Sequence, residues 1–232
     1  MEYFSDPQFW VVLGQIMIAN ILLSGDNAVV IALASRNLPP EHQKKAILLG
    51  SGAAILLRVV LTIFVSTLLD LQYVKLIGAA LLLWIAIKLL VPEEGHGDLK
   101  GASSLSGAVK TILFADFVMS LDNVLAVAGP AKGYPPAANE LIIIGLALSI
   151  PLIIFGSTLV LKLMDRYPVI ITGGAALLGY VAGEMAVKDG AIANWVNTNA
   201  HWLHSALPII GAVVVVCVGK YLAARQEETK PA

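Results

Sequence analysis

The stretch ILLSGDNAVVIALA, residues 21–34, places a carboxylate and a carboxamide, Asp26 and Asn27, inside a run that is otherwise apolar or small. The run begins at Phe9, so residues 9–34 exceed the roughly 20 helical residues needed to cross a bilayer core about 30 Å thick. Polar and apolar residues do not alternate along it, and it is too long for a barrel strand. No water in that core can satisfy open backbone groups, so such a run spans as a helix. A charge near the bilayer centre costs about 2.5–3.5 kcal/mol, so Asp26 needs a reason to be there.

Six more segments have the length and hydropathy to span: residues 46–69, 74–90, 105–129, 139–161, 169–187 and 205–223. They explain a composition that is 58% hydrophobic and 13% charged over 232 residues. A soluble domain carries about 45–50% apolar and about 25% charged residues. Lipid must therefore be the solvent for much of the chain. The expected fold is all-α, a polytopic membrane bundle of seven transmembrane helices. The longest internal break, PEEGHGDLKGASS at residues 92–104, reads as a solvated linker, His96 included. The first eight residues hold no Lys or Arg, which argues against a cleaved signal peptide. The single cysteine, Cys217, excludes a disulfide framework and a CxxC metal or redox site.

Asp26-Asn27 has an echo. Asn20, five intervening residues and Asp26-Asn27 recur as Asp116, five intervening residues and Asp122-Asn123. Ser24 matches Ser120, Pro39-Pro40 matches Pro135-Pro136 at the same offset, and Gly50 then matches Gly145 after the loss of one residue. The chain divides accordingly into a first three-helix repeat (1–91), a cytoplasmic linker (92–104), a second repeat (105–190), and an outer loop, seventh helix and cytoplasmic tail (191–232). Three spans is an odd number, so the second repeat lies inverted. Many secondary transporters share that plan and bind substrate near the midplane between the repeats. Lys75, Lys132 and Lys188 fall on one side of the seven spans and most other basic residues on the opposite side. By the positive-inside rule the N-terminus is outside and the C-terminus cytoplasmic.

Four charges lie well inside spans: Asp26, Asp116, Asp122 and Arg58. Together they cost roughly 10 kcal/mol before pairing. An ion pair to Arg58 absorbs one acid and leaves the duplicated Asp-Asn pairs unexplained. At about 3.6 residues per turn, Asn20, Ser24 and Asn27 share a face, as do Asp116, Met119, Ser120 and Asn123. A local break at Ser24-Gly25 would turn Asp26 toward that face, and broken helices are tolerated in membranes where they line a site. Two carboxylates, two carboxamides and freed carbonyls then converge. Such an oxygen set suits Mg²⁺, Ca²⁺ or Mn²⁺. Met119 could add a thioether favouring manganese, although Met more often fills gaps. Asp116 differs from its counterpart Asn20 and is a candidate proton carrier, a third ligand or a partner of Arg58.

ILLSGDNAVVIALA and FVMSLDNVLAVAG (residues 117–129) resemble the paired signature segments of the TerC family of bacterial integral membrane proteins, and the MSLDN form its YjbE-type branch. The resemblance covers nearly the whole chain. It implies a multi-pass protein of the bacterial inner membrane that exports a divalent metal, chiefly manganese, with Asp26, Asn27, Asp122 and Asn123 as metal-binding positions. It also links the family to tellurite resistance and to metal supply for secreted enzymes. The cation is substrate, and no prosthetic group is expected. The partners are the lipid bilayer, the cation and protons, with no nucleic acid.

Other residues rank lower. Glu184, near the outer end of its helix, reads as a vestibule or gate residue, and Gly179 and Gly183 as helix-packing positions. His201 and His204, beside Trp195 and Trp202, read as an interfacial belt. No Walker A, GxGxxG or Ser-His-Asp pattern occurs, which argues against ATP-driven pumping. Two intramembrane aspartates also suit an aspartyl protease. However, the Tyr-Asp and Gly-x-Gly-Asp motifs are absent, and Asn after each Asp serves coordination better than acid–base chemistry. A non-transporting membrane subunit is the third reading, disfavoured by the repeat. A transporter rather than an enzyme is expected.

Overall fold

The computed structural model describes residues 2–63, 72–91 and 104–228. The linker up to Ser103 and the end of the second span, residues 64–69, lie outside the described residues, as does the side chain of Asp122. Every described element is helical: α1 (Pro7–Leu22), α2 (Ser24–Ser35), α3 (Pro40–Ile63), α4 (Val74–Leu90), α5 (Leu105–Lys132), α6 (Ala138–Leu148), α7 (Ile150–Arg166), α8 (Val169–Val187), α9 (Ala193–Asn199) and α10 (Leu203–Glu228), with short 3₁₀ turns at Glu2–Ser5 and Pro135–Ala137. The chain is a polytopic helical membrane protein. Four stretches are long and apolar enough to cross a bilayer alone: Pro40–Thr62, Pro135–Arg166, Val169–Val187 and Leu203–Gln226. The bent pairs Pro7–Leu22 with Ser24–Ser35, and Leu105–Leu121 with Ala126–Lys132, qualify as two more. The 17-residue α4 is slightly shorter. Leu22 is 78% exposed and Phe155 68%, as lipid-facing side chains of a membrane protein are.

Contacts join connections that are far apart in the chain. The Tyr134 hydroxyl, after α5, donates to Asp6 Oδ2 ahead of α1 at 2.8 Å. The Tyr73 N–H, ahead of α4, donates to Asp189, after α8, at 3.1 Å. Leu38, after α2, packs with Ala108 at the start of α5. Each pair brings two connections to the same end of the bundle.

The first span is two helices because its own side chains stabilise the break. Leu23 interrupts it and the axis turns by 43°. Ser24 Oγ donates to the Asn20 carbonyl at 2.5 Å, and Asn27 Nδ2 to the Leu23 carbonyl at 2.7 Å. Asp26 Oδ1 accepts the Asn27 N–H at 2.8 Å. The Ser-Gly-Asp-Asn sequence thus satisfies groups that a break in lipid would otherwise leave open. The expected break falls here, one residue earlier than Ser24-Gly25. The counterpart helix α5 bends by 54° between its arms Leu105–Leu121 and Ala126–Lys132, where Asp122 and Asn123 lie. The fifth segment, expected to be continuous, is also divided, at Ser149 between α6 and α7. Pro151, on the second residue of α7, has no N–H to continue the ladder.

Packing follows the repeat. α3 lies along α5, and α1–α2 lies along α6–α7, so the span-two/span-four contact has its counterpart in span five against span one. α4 packs on α8, and α10 covers both. The α8–α10 crossing depends on glycine. A Cβ on Gly183 would lie 2.7 Å from Pro208 Cα, and one on Gly179 2.8 Å from the Gly211 carbonyl carbon. Small residues of this kind let membrane helices approach backbone to backbone.

Asp189 is fully buried and caps α4 from the far end of the chain. Its carboxylate accepts from the N–H groups of Tyr73 (3.1 Å), Lys75 (3.0 Å), Leu76 (3.2 Å) and Ala191 (2.8 Å). Tyr73, at φ 69°, makes no side-chain cap of its own. Burial pushes the Asp189 carboxyl up, but the four N–H donors outweigh it and hold it below the usual range. A depressed carboxyl stabilises the fold above its unfolded-state value and loses that contribution as pH falls through the folded one. Asp189→Ala should therefore cost about 2 kcal/mol at neutral pH, at the upper end for a lost cap. Thermal unfolding in detergent should show the gap to wild type narrowing only under strongly acidic conditions.

Candidate cation site

The four intramembrane charges are not treated alike by the fold. Arg58, in the C-terminal third of α3, is 2% exposed and reaches three partners on two other helices. Its Nη2 bonds Asp116 Oδ1 of α5 at 2.5 Å, its Nε the Ser120 Oγ at 3.1 Å, and its Nη1 the Asn20 Oδ1 of α1 at 3.3 Å. Ser120 in turn donates to Asp116 Oδ2 at 3.3 Å. Asn20 donates its amide to Ser149 Oγ at the α6–α7 break, and the Ser149 hydroxyl lies 2.8 Å from the Leu146 carbonyl. Asn20, Asp116 and Ser120 are at most 6% exposed. A buried guanidinium tolerates that environment only when paired and hydrogen-bonded, and here it is both.

The cluster is symmetric in position and asymmetric in charge. Asn20 and Asp116 are sequence counterparts, and so are the spans they touch. In one interface the pair is Asn20 with Ser149; in the other it is Asp116 with Arg58. Ser149 escaped the sequence reading; its only sign was a hydroxyl two residues before Pro151 in an apolar run.

Asp116 also borders a close-packed crevice, which it lines with Asn27, Val30, Ile31 and Ile112. Asn27 is committed through its Nδ2 to the Leu23 carbonyl, yet its Oδ1 is buried with no hydrogen-bond partner. An orphaned carboxamide oxygen is a free acceptor of the kind that suits a hard cation. Asp26 is half-buried beside it, at the N-terminus of α2. Asn123, also partly buried, lies at the bend of α5 together with the backbone of Asp122.

The other sequence candidates are placed as follows. Ser24 serves the helix break and Ser120 the Arg58 network. Met119 is 2% exposed within the apolar core. Glu184 pairs with Lys188 one turn on, at 3.0 Å, with both side chains more than 40% exposed. An exposed pair of this kind contributes a few tenths of a kcal/mol at most. His204 bonds Asn197 Oδ1 at 2.8 Å, and its ring is tilted by 50° against that of His201, with centroids 5.2 Å apart. Among the described residues no three His, Cys, Asp or Glu side chains gather. The candidate site is thus built from amide, hydroxyl and carboxylate oxygens.

Residues 5–227 match the model of the family described as "Integral membrane protein TerC family". The chain is 37% identical over 202 residues to "Uncharacterized membrane protein YjbE" of Bacillus subtilis (strain 168), covering 87% of this chain and 90% of that protein. It is 27% identical over 195 residues to "Uncharacterized membrane protein YceF" of the same organism, covering 80% of this chain and 74% of the relative. It is 28% identical over 193 residues to "UPF0053 inner membrane protein YoaE" of Escherichia coli (strain K12), covering 74% of this chain but 36% of that longer protein. No solved structure matches.

Proposed function

The chain belongs to the TerC family of integral membrane proteins, and from that premise we propose that it is a secondary transporter that exports a divalent cation, Mn²⁺ foremost, across the bacterial inner membrane. The observation that carries this reading is the orphaned Asn27 Oδ1 beside Asp26 at a self-stabilised helix break. Broken helices at membrane depth are where secondary transporters hold their ions. The ligands in this reading are Asp26 and Asn27 from the first repeat and Asp122 and Asn123 from the second. Mn²⁺ fits a site of carboxylate and carbonyl oxygens, as Mg²⁺ and Ca²⁺ do.

In this reading the N-terminus and the connections at Tyr73, Tyr134 and Asp189 face outward, and the basic ends near Arg36, Lys88 and Lys110 face the cytosol. A reporter inserted in the 92–104 linker should be protected from outside labelling; labelling of intact cells there would overturn this orientation. The function itself is tested with the purified chain in vesicles enclosing a manganese-quenched dye. Added Mn²⁺ should quench faster than in protein-free vesicles. Failure of Mn²⁺, Mg²⁺ and Ca²⁺ alike to enter would refute the transporter reading.

A further inference from the structure

A cavity of about 340 Å³ opens at the membrane end where the last turns of α2 and α4 meet the first turns of α5. That volume lies within the roughly 300–1,000 Å³ of small-ligand sites. Leu33, Ile85 and Phe114 form apolar walls, and Lys88 and Lys110 stand in the lining with Asn37. Trp84, also in the lining, is 58% exposed, and the Lys88 ammonium sits 5.5 Å from its ring centre. Among the described residues no carboxylate pairs with Lys88 or Lys110. Arg36, next to Asn37 in the chain, keeps a buried guanidinium nitrogen without a partner. Two ammonium groups repel a divalent cation, and apolar walls coordinate one poorly, so the lining suits an anion better than a metal.

We propose that this cavity binds an anionic glycerophospholipid, with its headgroup phosphate between Lys88 and Lys110 and acyl chain along Leu33, Ile85 and Phe114. The ligand must be both anionic and apolar and must be available at a membrane face. Anionic phospholipids satisfy all three conditions, and basic pockets between helices at the cytoplasmic face suit their headgroups. Free phosphate uses the lysines but not the walls; a zwitterionic lipid uses the walls but returns a positive charge to the lysines.

Trp84 reports occupancy directly. The chain with Trp10→Phe, Trp195→Phe and Trp202→Phe retains Trp84 as its one tryptophan and is reconstituted in phosphatidylcholine vesicles doped with brominated phosphatidylglycerol or, separately, brominated phosphatidylcholine. Brominated phosphatidylglycerol should quench Trp84 as though enriched on the order of tenfold over its bulk fraction, given about 1 kcal/mol per basic side chain near an anionic lipid. Lys88→Gln with Lys110→Gln should return quenching to the bulk value, whereas Lys88→Arg with Lys110→Arg should retain the enrichment. Equal quenching by the two lipids, enrichment surviving the double Gln variant, or enrichment lost on adding millimolar inorganic phosphate would each overturn the proposal. Because quenching does not involve transport, its outcome is independent of the cation-exporter reading.

Discussion

Asp26→Ala is expected to lower Mn²⁺ flux by on the order of 100-fold or more while the protein still inserts and unfolds near the wild-type temperature. The scale is bounded below by second-shell substitutions at metal sites, which already cost about 10–100-fold. Asp26 is half-buried and bonds only within its own helix end, through the Asn27 N–H at 2.8 Å. Its removal therefore leaves the interhelical packing intact. Asp122→Ala should match it, as the repeat counterpart. Asn27→Ala should be worse behaved, because Asn27 Nδ2 also ties the Leu23 carbonyl at the break. Flux in reconstituted vesicles, read beside thermal unfolding, separates the two effects. Wild-type flux from a properly inserted Asp26→Ala protein removes Asp26 from the site.

Arg58→Met should have the largest effect on stability. It leaves Asp116, Asn20 and Ser120 without their shared donor inside the bundle. Removing one partner of a buried ion pair costs about 3–5 kcal/mol, whereas replacing both partners by apolar side chains is often neutral. Arg58→Met with Asp116→Leu should accordingly recover much of the stability lost in Arg58→Met alone, measured by denaturation in one detergent. Asp116→Asn then addresses coupling. With Asp116 held as the fixed partner of Arg58 at 2.5 Å, the expected result is reduced stability and an unchanged pH profile of transport. A flattened profile with metal binding retained would instead make Asp116 the proton carrier, and loss of metal binding would make it a ligand.

Arg58 marks where sequence reading reaches its limit. That an arginine within a span needs an acid was evident from the cost of a buried charge. That the acid is Asp116, and that Asn20 and Ser120 share the guanidinium, depended on how α1, α3 and α5 pack. Asp189 is a sharper case. In the sequence it belongs to a polar outer loop; in the fold it caps a helix that begins more than 100 residues earlier. Spacing along the chain holds no information on such a contact.

The sequence by itself determined that the chain lives in lipid, that it is helical, and that its Ser-Gly-Asp-Asn motif breaks the first span. Each of these is settled within one or two helical turns, by hydropathy and by backbone groups that must find partners locally when no water is present. Only the tertiary structure decided which acid pairs with Arg58, which carboxamide oxygen is left open, and where two lysines border an apolar cavity. Those outcomes depend on which helix faces meet, and that is set by packing across the bundle, such as the glycine crossing of α8 and α10.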